Sequence, residues 1–260
     1  MARSLIAGLI SDGIAASQIL TSDPYRETRE SLEKHFAIHT SDSNQQVVDT
    51  SDVVVLAVKP QILKLVATQL ELPVNQPPLF LTIAAGIPVA SLRNWLGNKA
   101  SIVRAMPNTP ALVQTGATGL FAAPEVATAQ KDIAESIMRT AGLVQWVDEE
   151  SLMDAVTAIS GSGPAYYFFV MEAMEKAGIE LGLNNETARL LSIQTALGAA
   201  KLALEADEDP AVLRQRVTSP GGTTEKAIDV LSKGELITLF SEAITAARDR
   251  ATELAKELGE

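Results

Sequence analysis

Five short motifs combine glycines, small residues and hydroxyl or amide side chains in patterns that suit ligand binding. They are AVKPQ (57–61), TIAAG (82–86), RAMPNTP (104–110), SGSGPAY (160–166) and TSPGGTTEKAI (218–228). The sequence contains no cysteine and only two histidines. Thiolate nucleophiles and zinc-thiolate sites are therefore excluded, no metal is expected, and the chemistry must use other groups.

The segment TSPGGTTEKAI has the clearest pattern for binding an anion. Two glycines lead directly into a predicted helix start that carries two threonine hydroxyls. Backbone N–H groups and hydroxyls at such a start bind negatively charged groups, and a substrate carboxylate is the natural ligand. The glycines are Gly221 and Gly222, and the hydroxyls belong to Thr223 and Thr224. The alternative is a plain capping box that begins at Thr223 or Thr224.

Two further motifs follow predicted strands, at the sheet edge where open α/β sheets bind ligands. Lys59 could face a phosphate or the nicotinamide side of a dinucleotide, and the small residues of 82–86 let a flat ring approach the backbone. Each motif taken alone is also compatible with an ordinary loop.

Asn108 and Ser162 belong to the two remaining motifs. Asn108 lies between two prolines, which favour an extended, rigid loop with its polar groups displayed, although a simple rigid turn has the same pattern. Ser162 is a candidate N-cap for a long helix, with Pro164 early in that helix.

The elements that must position these motifs alternate up to about Val147 between short apolar runs and helix-like segments. This alternation predicts a Rossmann-like, doubly wound parallel sheet in the α/β class. The run VVVLAV is apolar throughout, so we expect it to be a central strand. The predicted strands are Gln18–Thr21, Ala37–His39, Val53–Val58, Leu79–Ala84, Ser101–Ala105, Gly119–Ala122 and Leu143–Trp146.

Beyond about Asp148 the pattern is helical, so we predict a domain of residues 1–148 and an all-helical domain of residues 149–260. The helix that begins near Ser162 is apolar around most of its circumference, which predicts a core helix. The last helix carries one long apolar stripe, which we expect to meet another subunit. The stripe is Leu236, Phe240, Ala243, Ala247, Ala251, Leu254 and Leu258. The predicted helices are Ser162–Leu181, Asn185–Glu205, Pro210–Arg216, Thr224–Leu231 and Gly234–Leu258.

The beginning of the chain reads as a first helix, Ala2–Ile10, followed by the strand QILTSD. A dinucleotide-binding fold starts instead with a strand and a glycine turn. We therefore expect the first strand and most of that turn to be missing from this sequence. A shorter, rearranged sheet is the alternative.

The order of the motifs AVKPQ, TIAAGI, RAMPNTPAL, ISGSGPAY and VTSPGGTTEKAI resembles that of pyrroline-5-carboxylate reductases over residues 2–258. Members of that family begin with a strand and a turn such as G-x-G-N-M-A, with which Met1 and Ala2 align. The resemblance implies an NAD(P)H-binding half and a helical half that interlocks with a partner subunit, with active-site residues from both. It also implies hydride transfer to C5 of 1-pyrroline-5-carboxylate, which gives proline.

Site residues are carried over by motif. Thr224 would hydrogen-bond the imine, Ser162 would join the substrate site, and Glu150 would lie near its entrance. Asp23 would suit the ribose hydroxyls of NADH, whereas Arg26 could meet the extra phosphate of NADPH. The resemblance to the family favours NADPH over NADH as the cofactor. The remaining cofactor candidates are Ala57, Val58, Lys59, Pro60, Ala84, Ala85 and Asn108.

Two rival functions remain open: another two-domain imine or 3-hydroxyacid dehydrogenase, and a cofactor-free scaffold or regulatory dimer. A 3-hydroxyacid enzyme usually has a lysine on an interdomain helix, but here the helix from Ser162 has none before Lys176. The net charge of −11 and the scattered basic residues argue against nucleic-acid partners. No apolar run approaches the roughly 20 residues of a membrane span, and we expect a cytoplasmic homo-oligomer.

Overall fold

The computed structural model describes residues 1–259, which divide into two compact units. The first unit comprises Met1–Ser162 together with the chain from Ala246 onward, and the second comprises Gly163–Thr245. The domain boundary after residue 148 stays a prediction from composition.

The first unit contains all seven predicted strands, each overlapping its predicted range. They are β1 (Leu20–Ser22), β2 (His39–Ser41), β3 (Val53–Leu56), β4 (Leu79–Thr82), β5 (Ser101–Met106), β6 (Gly116–Ala122) and β7 (Gly142–Trp146). The helices of this part of the chain are α1 (Ala2–Ser11), α2 (Arg26–Phe36), α3 (Asn44–Thr50), α4 (Pro60–Ala67), α5 (Val89–Leu96), α6 (Thr128–Arg139) and α7 (Leu152–Val156). Short 3₁₀ turns cover Ala16–Gln18 and Thr109–Val113, and a π-turn, Thr157–Gly161, follows α7.

The strands form two separate sheets. The pair β1–β2 is parallel, and the larger sheet has the order β3-β4-β5-β6-β7. Within residues 1–259, β3 therefore lies at an edge of its sheet, and the prediction that this strand is central was wrong.

The larger sheet is also not wholly parallel. β3, β4 and β5 are parallel, but β6 runs antiparallel to β5, and β7 is parallel to β6. The chain passes from β5 to β6 through a short loop that holds only the 3₁₀ turn Thr109–Val113. Such a loop can join antiparallel neighbours, whereas a parallel pair needs a longer crossover, which α6 supplies between β6 and β7.

The hydrophobic core of the first unit is centred on β4 and β5. Phe80, Leu81, Ile102 and Val103 are fully buried, so successive residues are covered on both faces of the sheet. Each such side chain stabilises the fold by about 1.5 to 3 kcal/mol relative to an exposed position. The rigid centre of the sheet holds in place the loops at the ends of its strands.

The second unit is helical, as predicted. Its helices are α8 (Gly163–Glu180), α9 (Asn185–Glu205), α10 (Pro210–Arg216), α11 (Thr223–Lys233) and the first part of α12 (Leu236–Gly259). α8 and α9 approach closely at Gly178, where an added Cβ would lie 3.2 Å from the Cβ of Ala188. α9 is capped by Asn184, whose side chain accepts a hydrogen bond from the backbone N–H of Thr187 at 2.8 Å.

The prediction that α8 is a core helix was wrong for the single chain. Tyr167, Phe168 and Phe169 are 67%, 63% and 72% exposed. The helices of one copy cover only part of the circumference of α8, so its aromatic face has no cover within the described residues.

The apolar stripe of α12 divides into two parts. Leu236 and Phe240 are exposed, but Ala251 is buried and Leu258 packs against the core of the first unit. The end of α12 is also fixed by hydrogen bonds from Ser91 to the carbonyl of Gly259, and from Thr252 to Asp154. The expectation that the whole stripe meets another subunit was therefore wrong for its C-terminal half.

No helix within residues 1–259 combines the length and the hydropathy that crossing a membrane requires.

Candidate active site

The loop after β4 is held close to the carboxyl end of that strand. The hydroxyl of Thr82, which is fully buried, accepts a hydrogen bond from the backbone N–H of Ala84 at 3.2 Å. The N–H of Ile83 donates to the carbonyl of Leu56 at 3.2 Å, which links the ends of β3 and β4. Gly86 has a φ of +73°, a conformation that favours glycine. The small residues that we predicted to contact the cofactor, Ala84 and Ala85, thus lie in a loop with a defined backbone.

The loop after β3 presents the other predicted cofactor residues. Ala57 and Lys59 are exposed, and Val58 and Pro60 are partly buried. Lys59 has an extended backbone and precedes α4, in which Pro60 occupies the first position. Among residues 1–259 no ion pair engages the Lys59 ammonium group, so it remains available to a negatively charged ligand.

Glu150 contacts two groups inside the first unit. Its Oε1 lies 2.6 Å from Nη1 of Arg104 on β5 and accepts a hydrogen bond from the backbone N–H of Val89 at 2.7 Å. Glu150 therefore neutralises a buried guanidinium and also holds the start of α5, directly after the loop that contains Ala84 and Ala85. Its place at the entrance of the active site stays a prediction.

Both polar atoms of the Asn108 side-chain amide form hydrogen bonds. Nδ2 donates to the carbonyl of Ser160 at 3.0 Å, and Oδ1 accepts from the backbone N–H of Ala117 at 2.9 Å. Ser160 belongs to the π-turn Thr157–Gly161. Asn108 thus joins the start of β6 to this turn, and its predicted contact with the cofactor remains untested.

Ser162 is not an N-cap. Its backbone is helical, with φ of −85° and ψ of −22°, and its N–H donates to the carbonyl of Thr157 at 2.8 Å. The chain passes from α7 through the π-turn into α8 without the extended residue that an N-cap requires. Pro164 is the second residue of α8, so the prediction that it lies early in this helix is confirmed.

The end of β1 carries the residues predicted to set cofactor preference. The carboxylate of Asp23 accepts a hydrogen bond from the backbone N–H of Tyr25 at 2.8 Å, and Arg26 pairs with Glu30 at 2.7 Å. An open surface pocket lies directly beside them. It is lined by Pro24, Tyr25, Arg26, Glu27 and Thr28.

The start of α1 has hydrogen-bond donors without partners. No side chain caps this helix, and the hydroxyl of Ser4 in its first turn is buried without a hydrogen-bond partner among residues 1–259. Taken with the small residues after β4 and the unpaired Lys59 after β3, these features fit a dinucleotide, whose phosphates need donors and whose ring needs space. Residues 1–259 contain no cluster of three or more acidic or histidine side chains that could bind a metal ion.

The glycine-rich loop of the second unit leads into α11 as the sequence indicated. Gly222, and not Thr223 or Thr224, occupies the N-cap position, so the alternative of a threonine capping box was wrong. Gly221 has a φ of +73°, and an added Cβ on Gly222 would lie 3.0 Å from the carbonyl oxygen of Ser219. Within residues 1–259, neither threonine hydroxyl has a hydrogen-bond partner. This helix start can therefore donate to a small anion.

Sequence reasoning missed three residues that build these loops. Thr82 fixes the loop after β4, and Arg104 anchors Glu150. Glu225 accepts a hydrogen bond from the backbone N–H of Gly221 at 2.8 Å. Two of them had a visible signal: Arg104 is a lone charge within an apolar strand, and Glu225 is an acid in the first turn of a helix.

Two family models match different parts of the chain. Residues 150–254 match the model described as pyrroline-5-carboxylate reductase dimerisation. Residues 1–86 match the model described as NADP oxidoreductase, coenzyme F420-dependent.

Named relatives match over almost the whole length. A pyrroline-5-carboxylate reductase from Pseudomonas aeruginosa is 49% identical over 260 residues, which cover 100% of this chain and 95% of that protein. The structure of a pyrroline-5-carboxylate reductase from Coxiella burnetii has a TM-score of 0.93 at 47% identity, and the match covers 97% of this chain and 94% of that one. The Plasmodium falciparum enzyme with NADP bound has a TM-score of 0.84 at 27% identity, with coverage of 97% and 94%. This chain belongs to the pyrroline-5-carboxylate reductase family.

Proposed function

We propose that this chain reduces 1-pyrroline-5-carboxylate to L-proline with NAD(P)H, the last step of proline biosynthesis. The observation that carries the proposal is the start of α11, where no side chain caps the helix and the hydroxyls of Thr223 and Thr224 have no hydrogen-bond partner among residues 1–259, so that they can receive a small anion. The chain also shares its family with relatives that are named for this reaction.

The substrate has a carboxylate and an imine nitrogen within one small ring. The N-terminal end of α11 attracts the carboxylate through its free N–H groups and its helix dipole, an effect worth about 0.3 to 1 kcal/mol at an exposed site. Thr223 would hold this group together with the loop formed by Ser219, Gly221 and Gly222. The N–H groups of the two glycines donate to Glu225 and to the carbonyl of Ser219, so these bonds fix the shape of the loop. Thr224, which is partly buried, would hydrogen-bond the imine nitrogen. Its hydroxyl would keep this contact while the charge on the nitrogen changes during the reaction.

The bound cofactor would supply the hydride. Ala57 to Pro60 and Ala84 to Ala85 would hold it at the carboxyl ends of β3 and β4, where small side chains let the nicotinamide lie close to the backbone. A protonated imine is already electrophilic, so the protein's main contribution is to keep the two rings in contact. No histidine is needed, and both histidines of the chain are exposed residues of α2 and β2.

We favour NADPH over NADH. Arg26 lies in the pocket beside the end of β1, and its side chain is exposed. A guanidinium there can pair with the 2′-phosphate of NADPH. Asp23 is the residue that would suit NADH. Its Oδ1 accepts the N–H of Tyr25 and Arg26 pairs with Glu30, so each of the two residues has one partner, and the preference for NADPH rests on the family resemblance and the exposed guanidinium.

We further propose that the chain forms a homodimer or larger homo-oligomer through its C-terminal helices. The exposed aromatic residues of α8 support this proposal, because a soluble monomer rarely leaves such a contiguous apolar face open to water. The match of residues 150–254 to a dimerisation model supports it as well. The absence of cysteine and the strong negative charge agree with a cytoplasmic protein that binds no nucleic acid.

The test is NADPH oxidation by the purified chain in the presence of 1-pyrroline-5-carboxylate, with proline identified as the product. The controls for substrate class are other cyclic imines with NADPH, and 3-hydroxyacids with NADP⁺, because a hydroxyacid donates hydride and does not accept it. Turnover with the pyrroline alone supports the proposal, whereas NADP⁺ reduction by a 3-hydroxyacid alone would favour the rival dehydrogenase. A folded chain that turns over none of these compounds with either form of the cofactor would favour the scaffold.

A further inference from the structure

The carbonyl of Ser160 lacks its ordinary helical donor. Four residues beyond it lies Pro164, which has no N–H, so the usual hydrogen bond of an α-helix cannot form there. Nδ2 of Asn108 takes that place at 3.0 Å. One amide side chain from the loop after β5 thus completes the backbone hydrogen bonding of the π-turn.

The π-turn and the last residue of α7 before it, Val156, fit closely against the strands because two glycines leave room. A Cβ added to Gly161 would lie 2.5 Å from Cε of Met106, and one added to Gly119 would lie 2.5 Å from Cγ1 of Val156. Met106 ends β5, and Gly119 is its partner in β6. The turn therefore lies against the carboxyl end of β5, on the sheet edge that carries the cofactor candidates. π-turns inside helices occur often at functional sites.

We infer that Asn108 is a positioning residue for hydride transfer and not a cofactor ligand. By binding the carbonyl of Ser160 it holds the backbone of residues 160–162 at a fixed distance from the end of β5. This backbone lies at the carboxyl end of β5, on the sheet edge that carries the cofactor candidates, so its position would affect how the nicotinamide is held for hydride transfer. The inference rests on the proposed function.

The test uses Asn108→Asp, Pro164→Ala and the double variant in the full chain. Asn108→Asp keeps the oxygen that accepts from Ala117 but replaces the Nδ2 donor by a carboxylate oxygen, which repels the carbonyl of Ser160. Pro164→Ala introduces an N–H that can satisfy the same carbonyl as an ordinary helical residue does. The readouts are kcat, KM for NADPH, Tm and the exchange rate of the Ser162 amide.

We expect Asn108→Asp to lower kcat by about tenfold to a hundredfold, since a displacement of about 1 Å has that effect on aligned reactants. KM for NADPH should stay within about twofold, because no cofactor contact is lost. Tm should fall and the Ser162 amide should exchange faster. In the double variant Tm should recover, because the N–H introduced by Pro164→Ala satisfies the carbonyl, but kcat should not, because Asn108 no longer holds the turn.

Asn184→Asp is the matched control, since Asn184 uses only its oxygen to cap α9, and kcat of this variant should not change. The inference is overturned if Asn108→Asp lowers Tm and leaves kcat unaltered, or if kcat returns together with Tm in the double variant. Unchanged exchange of the Ser162 amide in Asn108→Asp would also overturn it, and this readout does not depend on turnover. A native chain without turnover would instead reject the proposed function.

Discussion

Glu150 and Arg104 form an ion pair of 2.6 Å in which the side chain of Arg104 is only 9% exposed. Arg104 lies on β5 in the larger sheet, where an unpaired charge would be costly. Because Oε1 of Glu150 also binds the N–H of Val89, one carboxylate couples the buried charge to the start of α5. The loop with Ala84 and Ala85 lies directly before that helix, so this pair also limits how far the loop can move.

Removing the Glu150 carboxylate should destabilise the fold. Glu150→Ala leaves the guanidinium of Arg104 buried without its partner, and we expect a loss of about 2 to 3 kcal/mol in the free energy of unfolding, below the value for a fully buried pair because Glu150 is partly exposed. Glu150→Gln keeps an acceptor for Val89 and should cost less. Urea unfolding measures both values.

Glu149→Gln is the control, because this neighbouring carboxylate has one hydrogen bond among residues 1–259, which it accepts from the exposed hydroxyl of Ser151. Its effect should be within about 0.5 kcal/mol. If Glu150→Gln instead raises the KM for the pyrroline and leaves stability unchanged, Glu150 acts at the entrance to the active site and its structural role is minor.

The hydroxyl of Thr224 should contribute to turnover. Thr224→Ala removes the proposed hydrogen bond to the imine, so kcat/KM for 1-pyrroline-5-carboxylate should fall by an amount equivalent to about 1 to 3 kcal/mol. The dissociation constant of NADPH, measured by its fluorescence, should not change. Thr224→Ser retains a hydroxyl and should keep most of the activity. Equal kinetics for the native and alanine forms would remove Thr224 from the mechanism.

Glu135 should make stability sensitive to acid. The hydrogen bond from the indole of Trp146 and a second one from Arg139 hold the pKa of Glu135 below its ordinary value of 4.5. A carboxyl group with a lowered pKa stabilises the folded state above the unfolded pKa. That contribution is lost as pH falls from about 4.5 through the folded pKa.

Trp146→Phe removes the first of these donors, so the pKa of Glu135 should rise toward 4.5. NMR titration of the side-chain carboxyl carbon measures the change. Arg139→Gln removes the guanidinium, which lowers this pKa through a hydrogen bond and through its charge, so the pKa should rise in this variant as well. A pKa that is the same in the native chain and in Trp146→Phe would exclude the indole as its main cause.

The sequence predicted which segments form strands better than it predicted their neighbours. Runs such as VVVLAV mark a strand because β-branched apolar residues suit a buried sheet. The same run does not indicate whether neighbouring strands flank it on both sides. Val53–Leu56 proved to be at an edge of its sheet. The direction of β6 depends on the length of the preceding loop, a signal that we overlooked.

The site was predictable where glycine and proline restrict the backbone. Gly221 and Gly222 do lead into α11, because only such residues fit a tight turn at a helix start. Ser162 was misinterpreted because its type suits an N-cap, whereas the residues before it form a π-turn that accepts a hydrogen bond from Asn108, far away in sequence. Side chains such as Thr82 and Glu225 act on backbone groups that only the folded chain brings near.

Two apolar positions, one on α8 and one near the end of α12, should respond differently to a charge. Phe169 on α8 is 72% exposed in one copy, so Phe169→Glu should leave the single chain folded. If a second copy covers this face, each buried phenylalanine adds about 1.5 to 3 kcal/mol to association, and the charge should raise the dimer dissociation constant at least tenfold. Sedimentation over a range of concentrations measures this constant.

Leu254→Glu provides the contrast, because Leu254 lies against the chain's own loop, with its Cβ 3.7 Å from the position of an added Cβ on Gly86. Its charge should lower Tm at every protein concentration, since the lost packing lies within one copy. Phe169→Glu should lower Tm most at low concentration, because there the dimer has already begun to dissociate. If Leu254→Glu weakens association and Phe169→Glu does not, the subunit contact lies on the end of α12 and not on α8.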